Sequence, residues 1–147
     1  MKAPPARPAP VEETGFLLQR AHRRLRAALN EALRPLDLQI AHVAVLGLLA
    51  ARGDLSQRQL IDVMDADKSS MVYLIDELER QGLAERRPDP RDRRAHAVRL
   101  TDAGRTRLVE AGRIVRAVEE EVLAPLSARE RALLDDLLRR IGESRGR

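Results

Sequence analysis

Arginine is concentrated in one short segment of this chain. Residues 86–99, RRPDPRDRRAHAVR, hold six arginines and two aspartates, which give a local charge of +4. The whole 147-residue chain also carries a formal charge of +4, so the remainder is electrically balanced. The planar guanidinium group donates paired hydrogen bonds to phosphate oxygens. The cluster therefore predicts binding of a polyphosphate, and DNA is the first candidate.

The same segment has the pattern of a β-hairpin that would hold these arginines. Pro88, Asp89 and Pro90 form a turn signal, and the alternating residues from Ala95 to Leu100 are typical of a strand. A hairpin of this kind would project its arginines from a protein that is otherwise neutral.

Composition predicts a mainly α-helical protein around this small hairpin. Phe16 and Tyr73 are the only aromatic residues, so the core must be aliphatic, and the abundant leucine and alanine favour helices. The absence of cysteine excludes disulfides and thiolate metal sites. We recognise no signal peptide, and the apolar stretch 40–51 is too short to cross a bilayer. We therefore expect one soluble, cytoplasmic domain.

Helix-breaking residues delimit the first part of the chain. Four prolines predict a disordered tail over residues 1–13. Thr14 is expected to cap a first helix, which runs over residues 14–34 until Pro35 ends it. A second helix over residues 40–52 is apolar on most faces, which predicts that it is buried, and Gly53 ends it.

Two short helices precede the arginine cluster. Ser56 and Gln59 form a capping box that opens a third helix ending near Met64. Asp67 caps a fourth helix, which Gly82 ends. Two short helices joined by a tight turn and followed by a basic hairpin constitute a winged helix-turn-helix, in which the exposed start of the second helix enters the DNA major groove.

Two longer helices complete the sequence-based prediction. Thr101 caps a helix that ends near Leu123, where Pro125 follows. Ser127 and Glu130 form a second capping box, which opens a last helix through Ile141.

With this order of elements, the chain resembles the MarR family of bacterial transcription regulators. The resemblance rests on DKSSMVYLIDELERQGLAERR, on the wing signature DPRDRR and on LTDAGR, all within residues 55–105. It implies a single unit over residues 14–147, with dimerisation helices at 14–34 and 101–142 and the winged helix-turn-helix at 40–100. It also implies a homodimer that represses transcription from a pseudo-palindromic DNA site. Val72 and Tyr73 depart from the usual family pattern, so the sequence preference of relatives does not transfer.

The resemblance assigns roles to individual residues. Asp89 and Asp92 are expected to shape the wing, Asp92 by pairing with Arg94, while Arg91 or Arg93 enters the minor groove. The alternatives left open are that Tyr73 packs against the wing or the third helix and that the charged loop is merely solvated. The expected DNA contacts are Gln57, Lys68, Ser69, Ser70, Tyr73, Arg86, Arg91, Arg93 and Arg94. The expected dimer contacts, which could instead close an intramolecular bundle, are Leu133, Leu134, Leu137, Leu138 and Ile141.

The resemblance also raises the prospect of a small anionic or phenolic effector. His22, Arg26 and His42 are the candidates to contact it. The alternative for His42 is the more common one for a histidine on a buried helix, namely a core residue with its hydrogen bonds satisfied, and arginines on the exposed face of a first helix are mostly solvated. We find no metal-binding pattern, no Gly-rich phosphate loop and no recognisable nucleophile, so neither a cofactor nor an enzymatic activity is expected. The alternative function is a DNA-binding architectural protein of low specificity, without an effector.

Overall fold

The computed structural model describes residues 13–143, except the side chains of Arg93 and Ala95; the predicted disordered tail therefore lies almost wholly outside the described residues. Its elements in chain order are α1 (Thr14–Leu33), α2 (Ile40–Arg52), β1 (Leu55–Ser56), α3 (Gln57–Met64), α4 (Lys68–Arg80), β2 (Ala84–Asp89), β3 (Asp92–Leu100), α5 (Asp102–Val122) and α6 (Ala128–Glu143). The predicted class, mainly helical with a small β-hairpin wing, is confirmed.

The start of α1 differs from the prediction. Thr14 is already helical, and the N-cap position belongs to Glu13, whose side chain makes no capping hydrogen bond. The prediction that Thr14 caps this helix is therefore wrong, because an N-cap residue must have the extended backbone that Glu13 adopts, with φ −71° and ψ 144°. The end agrees with the prediction: α1 gives way to a 3₁₀ turn, Arg34–Leu36, that contains Pro35.

Local side-chain signals fix α3 and α4 as predicted. The Ser56 hydroxyl accepts a hydrogen bond from the Gln59 amide at 3.1 Å, and the Gln59 side chain accepts one from the Ser56 amide at 2.8 Å. Asp65 ends α3 in the left-handed conformation, with φ 49°. The Asp67 carboxylate then accepts from the Ser70 amide at 2.8 Å and opens α4. The turn of the helix-turn-helix thus spans only residues 65–67.

The sheet has one strand more than the sequence predicted. β2 and β3 form the antiparallel hairpin, hereafter the wing (residues 84–100). The additional strand is β1, whose Leu55 and Ser56 pair with Val98 and Ala97 of β3. Because Ser56 also caps α3, the base of the wing is joined directly to the helix-turn-helix.

An aliphatic core holds the winged unit together. Its largest fully buried side chains come from α1, α2, α3, α4 and β3, namely Leu33, Leu46, Leu49, Leu60, Met71, Ile75, Leu78, Val45 and Val98. α5 contributes Ala111, whereas no residue of α6 is buried in the single chain. The core therefore fixes α4 and the wing relative to each other but leaves α6 outside.

No single helix among residues 13–143 is long and apolar enough to cross a membrane. Thr14–Leu36 and Ile40–Arg52 reach the required length and composition only together, across a 77° bend.

Candidate nucleic-acid interface

The first turn of α4 presents the predicted reading residues to solvent. Lys68, Ser69 and Ser70 are exposed there, and Tyr73 on the same helix is 60% exposed. The opposite face of α4 is buried in the core through Met71, Leu74, Ile75 and Leu78. The outer face is therefore held rigidly and is free to approach a groove.

The Ser70 hydroxyl makes a hydrogen bond within the protein, which limits the hydrogen bonds that it can make to DNA. Its hydroxyl donates to the second carboxylate oxygen of Asp67 at 2.6 Å, in addition to the amide bond that caps the helix. Hydrogen bonds from the Ser70 hydroxyl and from backbone amides hold the pKa of Asp67 below its ordinary value. Because the Ser70 hydroxyl already donates its proton to Asp67, it can only accept a hydrogen bond from DNA. The Ser69 hydroxyl can either donate or accept one.

Two aspartates shape the tip of the wing through its main chain. The Asp89 carboxylate accepts from the Arg91 amide at 2.9 Å and from Arg91 Nε at 3.3 Å. The Asp92 carboxylate accepts from the Arg94 amide at 2.9 Å. The expected pair Asp92–Arg94 thus meets at the backbone amide, and the guanidinium ion pair at the tip is that of Asp89 with Arg91, whose side chain stays 72% exposed.

Arg86 lies apart from the other predicted DNA contacts. Its side chain is only 25% exposed and makes ion pairs with two carboxylates of α4, those of Asp76 at 2.7 Å and of Glu79. Burial lowers the pKa of Arg86, but the hydrogen bonds that Arg86 donates to Asp76 and Glu79, and the charges of these carboxylates, outweigh burial and leave the pKa raised. Which arginine of the cluster would be paired in this way could not be predicted from the residue pattern, because the partners lie on another element.

The remaining predicted DNA contacts lie on other elements than α4. Gln57 is the half-buried first residue of α3, and Arg94 is exposed on β3. The Arg93 side chain lies outside the described part. The structure therefore brings Lys68, Ser69, Ser70 and Tyr73 together on α4, with Arg91 and Arg94 at the wing.

The three effector candidates do not come together. His42 lines a cleft of about 370 Å³ formed by α1, the turn before α2, and α4, hereafter the His42 cleft. His22 lines a different cleft, of about 1190 Å³, between α1, α5 and α6. Arg26 is exposed on α1 and lines neither of these two clefts.

His42 is buried, and only one of its two ring nitrogens makes a hydrogen bond within the described residues. It is 5% exposed, and its Nδ1 accepts a hydrogen bond from the Gln39 amide at 2.9 Å, which places the proton of the neutral ring on Nε2. Burial lowers the pKa of His42, against the opposing effect of Glu77 and Asp37. Nε2 is buried without a hydrogen-bond partner among residues 13–143.

Comparison with known proteins places the chain among transcription regulators. A sequence profile of the MarR family matches residues 36–95. YdgJ of Bacillus subtilis, an uncharacterised regulator of the helix-turn-helix type, is 35% identical over 101 residues, which span 69% of this chain and 62% of the length of YdgJ.

Solved structures extend the similarity over nearly the whole chain. A MarR-family regulator from Rhodococcus sp. RHA1 is 30% identical, with a TM-score of 0.87 over 95% of this chain and 99% of that one. A MarR variant from Escherichia coli complexed with operator DNA is 29% identical, with a TM-score of 0.79 over 86% and 91% of the two chains. Bordetella bronchiseptica BpsR, whose DNA binding is regulated by 6-hydroxynicotinic acid, is 26% identical, with a TM-score of 0.86 over 95% and 100%.

Two kinds of observation agree. The structure has a helix-turn-helix with an exposed reading helix and an arginine-bearing wing, and the similarity to known regulators extends over nearly the whole chain. The chain belongs to the MarR family of DNA-binding transcription regulators.

Proposed function

We propose that this chain is a homodimeric, sequence-specific repressor that binds a pseudo-palindromic DNA operator through α4 and the wing. The observation that carries the proposal is the exposed first turn of α4 beside an arginine-bearing hairpin on the same rigid core. A helix of this kind fits the major groove, and arginines are attracted to the negative potential of the minor groove. The operator complex of the similar E. coli protein supports the same use of the fold.

Base reading and phosphate affinity come from different residues in this proposal. Ser69, Ser70 and Tyr73 contact base edges, because they are polar, exposed and nearly uncharged. Lys68, Arg91 and Arg94 contact phosphates or the minor groove and supply most of the salt-dependent affinity. Gln57, at the start of α3, contacts the DNA backbone.

The homodimer is supported by the apolar surface of α6. This helix has four leucines but buries none of its residues in the single chain, and Leu133 is 57% exposed. Phe16, Leu17 and Leu18 of α1 are exposed too, and α1 and α6 border the same 1190 Å³ cleft. An amphipathic helix gains its stability by burying its apolar face. A second copy of the chain would cover these residues.

Repression is the direction of control that we propose, because a dimer bound to its operator through α4 and the wing would block access of other proteins to the same DNA. Transcription of a template with the operator inside the promoter should fall as protein is added.

Selection of DNA ligands from a random duplex library tests the central claim. The selected sequences should contain two inverted half-sites whose centres lie about 10 base pairs apart, because a two-fold dimer places its reading helices one DNA turn apart. A regulator is expected to bind the selected DNA at least about 10³ times more tightly than random DNA. Nearly equal affinities for the two would favour the alternative, a low-specificity architectural protein.

The His42 cleft is the place where we propose that an effector binds. It includes Tyr73 and Glu77 of α4, so a ligand there would touch the reading helix directly. The charged groups of its lining are the carboxylates of Glu31, Asp37 and Glu77 and the guanidinium group of Arg34, which pairs with Glu31. Because the carboxylates outnumber the one guanidinium group, the cleft disfavours an anion, and we therefore favour a neutral phenol over the anionic class.

Matched probes test this choice of effector. We expect 4-hydroxybenzamide to raise the melting temperature of the protein and to weaken operator binding, and 4-hydroxybenzoate to do so at about tenfold higher concentration. The reverse order of potency would contradict the assignment of ligand class. Failure of both probes would exclude this effector class without affecting the DNA-binding proposal.

A further inference from the structure

We propose that Arg86 is a positioning residue that ties the wing to the reading helix, and that it does not contact DNA phosphates. The inference rests on the proposed DNA-binding function. It reassigns one arginine of the cluster from affinity to geometry.

The contacts of Arg86 join two elements at three points. The guanidinium group on β2 binds Asp76 at 2.7 Å and Glu79, both on α4. The backbone amide of Arg86 also donates to the Glu79 carboxylate at 2.6 Å. Glu79 therefore holds both the main chain and the side chain of the same residue. Such a bidentate arrangement fixes orientation as well as distance.

The position of this link relates the two parts of the DNA interface. Asp76 lies three residues after Tyr73, so the two side chains lie on one face of α4. Arg86 pairs with Val98 in the register of the wing, close to the β1 pairing at its base. The link therefore fixes the angle at which the wing leaves the helix and so the distance between the major-groove and minor-groove contacts.

Charge separates Arg86 from the other arginines of the wing. Together with Asp76 and Glu79 it forms a group with a net charge of −1, and its side chain is largely buried. Arg87 pairs instead with Glu85 on its own strand and is 55% exposed, while Arg91 is 72% exposed. A phosphate could recruit Arg86 only by displacing two carboxylates, which would then lie unpaired beside the DNA. Those carboxylates would then repel the backbone.

Removal of the two carboxylates tests the proposal, because the two possible roles of Arg86 predict opposite changes in DNA affinity. The variant Asp76→Ala/Glu79→Ala removes two negative charges, which raises the net charge by two, and frees Arg86. If Arg86 were a phosphate contact, this variant would bind DNA more tightly and with a steeper salt dependence. If Arg86 is a positioning residue, affinity for the duplex selected by the unaltered protein falls about tenfold despite the added charge.

Two further variants keep the result interpretable. Glu85→Ala frees Arg87 in the same hairpin and adds one charge, and we expect its affinity to be unchanged or higher. Arg86→Lys retains the charge but loses the planar fork, so we expect it to weaken binding severalfold with an unchanged salt slope. A double variant that binds DNA more tightly than the unaltered protein would overturn the proposal, and so would a lysine variant that binds as well as the unaltered protein.

Footprinting distinguishes positioning from general damage to the fold. In the double variant, guanine N7 in the major groove should stay protected from methylation, while protection of the flanking minor grooves from hydroxyl radicals is lost. Loss of both protections together would overturn the positioning role. If the unaltered protein selects no DNA sequence, the proposed function fails; if it does and the double variant binds more tightly, only the role of Arg86 fails.

Discussion

Gly104 shows how one residue can be dictated by a neighbouring backbone. Sequence reasoning treats a glycine inside a helix as a mild weakness. In the structure Gly104 is buried, and a Cβ atom built there would lie 2.0 Å from the Leu83 carbonyl oxygen. That oxygen cannot easily move, because it accepts a hydrogen bond from the Thr101 amide at 3.2 Å. The glycine lets α5 start against the end of the helix-turn-helix.

We therefore expect Gly104→Ala to lower the free energy of unfolding by about 2 kcal/mol, the cost typical of an overpacked site. The matched variant is Gly112→Ala in the same helix, where the nearest atom to an added Cβ is an Arg116 side-chain nitrogen at 3.6 Å. Alanine should stabilise that site by up to about 1 kcal/mol. Chemical denaturation at one protein concentration measures both values, and equal effects would contradict the close approach at Gly104.

His42 gives the stability a dependence on pH. Burial holds its pKa below the ordinary value, while the unfolded chain titrates near pH 6.5. As the pH falls through that value, the unfolded state takes up a proton before the folded state does. The free energy of unfolding should therefore fall on acidification, by at most about 1.4 kcal/mol per pH unit from this residue.

His42→Gln should flatten this profile between pH 7 and pH 5, because glutamine does not titrate and can still close the capping box with Gln39. His96→Gln, which removes an exposed histidine of β3, is the matched control for the loss of one histidine. Denaturation curves at three pH values decide the matter. An H42Q variant with the slope of the unaltered protein would show that other groups cause it.

The wing is the element that should set the salt dependence of DNA binding. We expect Arg91→Ala/Arg93→Ala/Arg94→Ala to remain a folded dimer that binds DNA at least about a hundredfold more weakly, with a salt slope shallower by up to about 0.9 for each lost phosphate contact. Fluorescence anisotropy at four salt concentrations measures affinity and slope together.

The control for this variant removes the same charge from another element. Arg129, Arg139 and Arg140 lie on α6, so their replacement by alanine should change the slope much less. If both triple variants lost the same slope, net charge rather than the wing would account for the salt dependence.

Elements whose signals are local could be predicted from the sequence. The capping boxes at Ser56 and Ser127 and the caps at Asp67 and Thr101 lie within three residues of their partners, and all four form as expected. β1 could not be predicted, since it has two residues and pairs only with a distant strand. The neutralisation of Arg86 was equally invisible, because it depends on the packing of β2 against α4. Local chemistry thus reveals the elements, but not the contacts that orient them.

The whole molecule should depend on a second copy of itself. Leu137 is 40% exposed on α6, and we expect Leu137→Glu to place a charge in the dimer interface. The mass measured by light scattering should fall from twice 16.5 kDa to a single 16.5 kDa. Binding to a duplex with two half-sites should weaken strongly, because the two contacts would no longer be linked.

The matched control for this variant is an apolar residue exposed elsewhere. Val63 is 43% exposed on α3, and Val63→Glu should leave the mass of the dimer unchanged. If the L137E protein kept the mass of a dimer, α6 would not form the interface.

The short strand β1 has a consequence for how the protein folds. The pairing of Leu55 and Ser56 with Val98 and Ala97 can form only after the chain has been made as far as the returning strand of the hairpin. The contact that joins the helix-turn-helix to the wing therefore has a long sequence separation, and forming it is slower than forming local helical contacts. A peptide cut out at the end of α4 would lack this partner strand. The orientation of the DNA-reading motif relative to the wing is thus set only once β3 has formed.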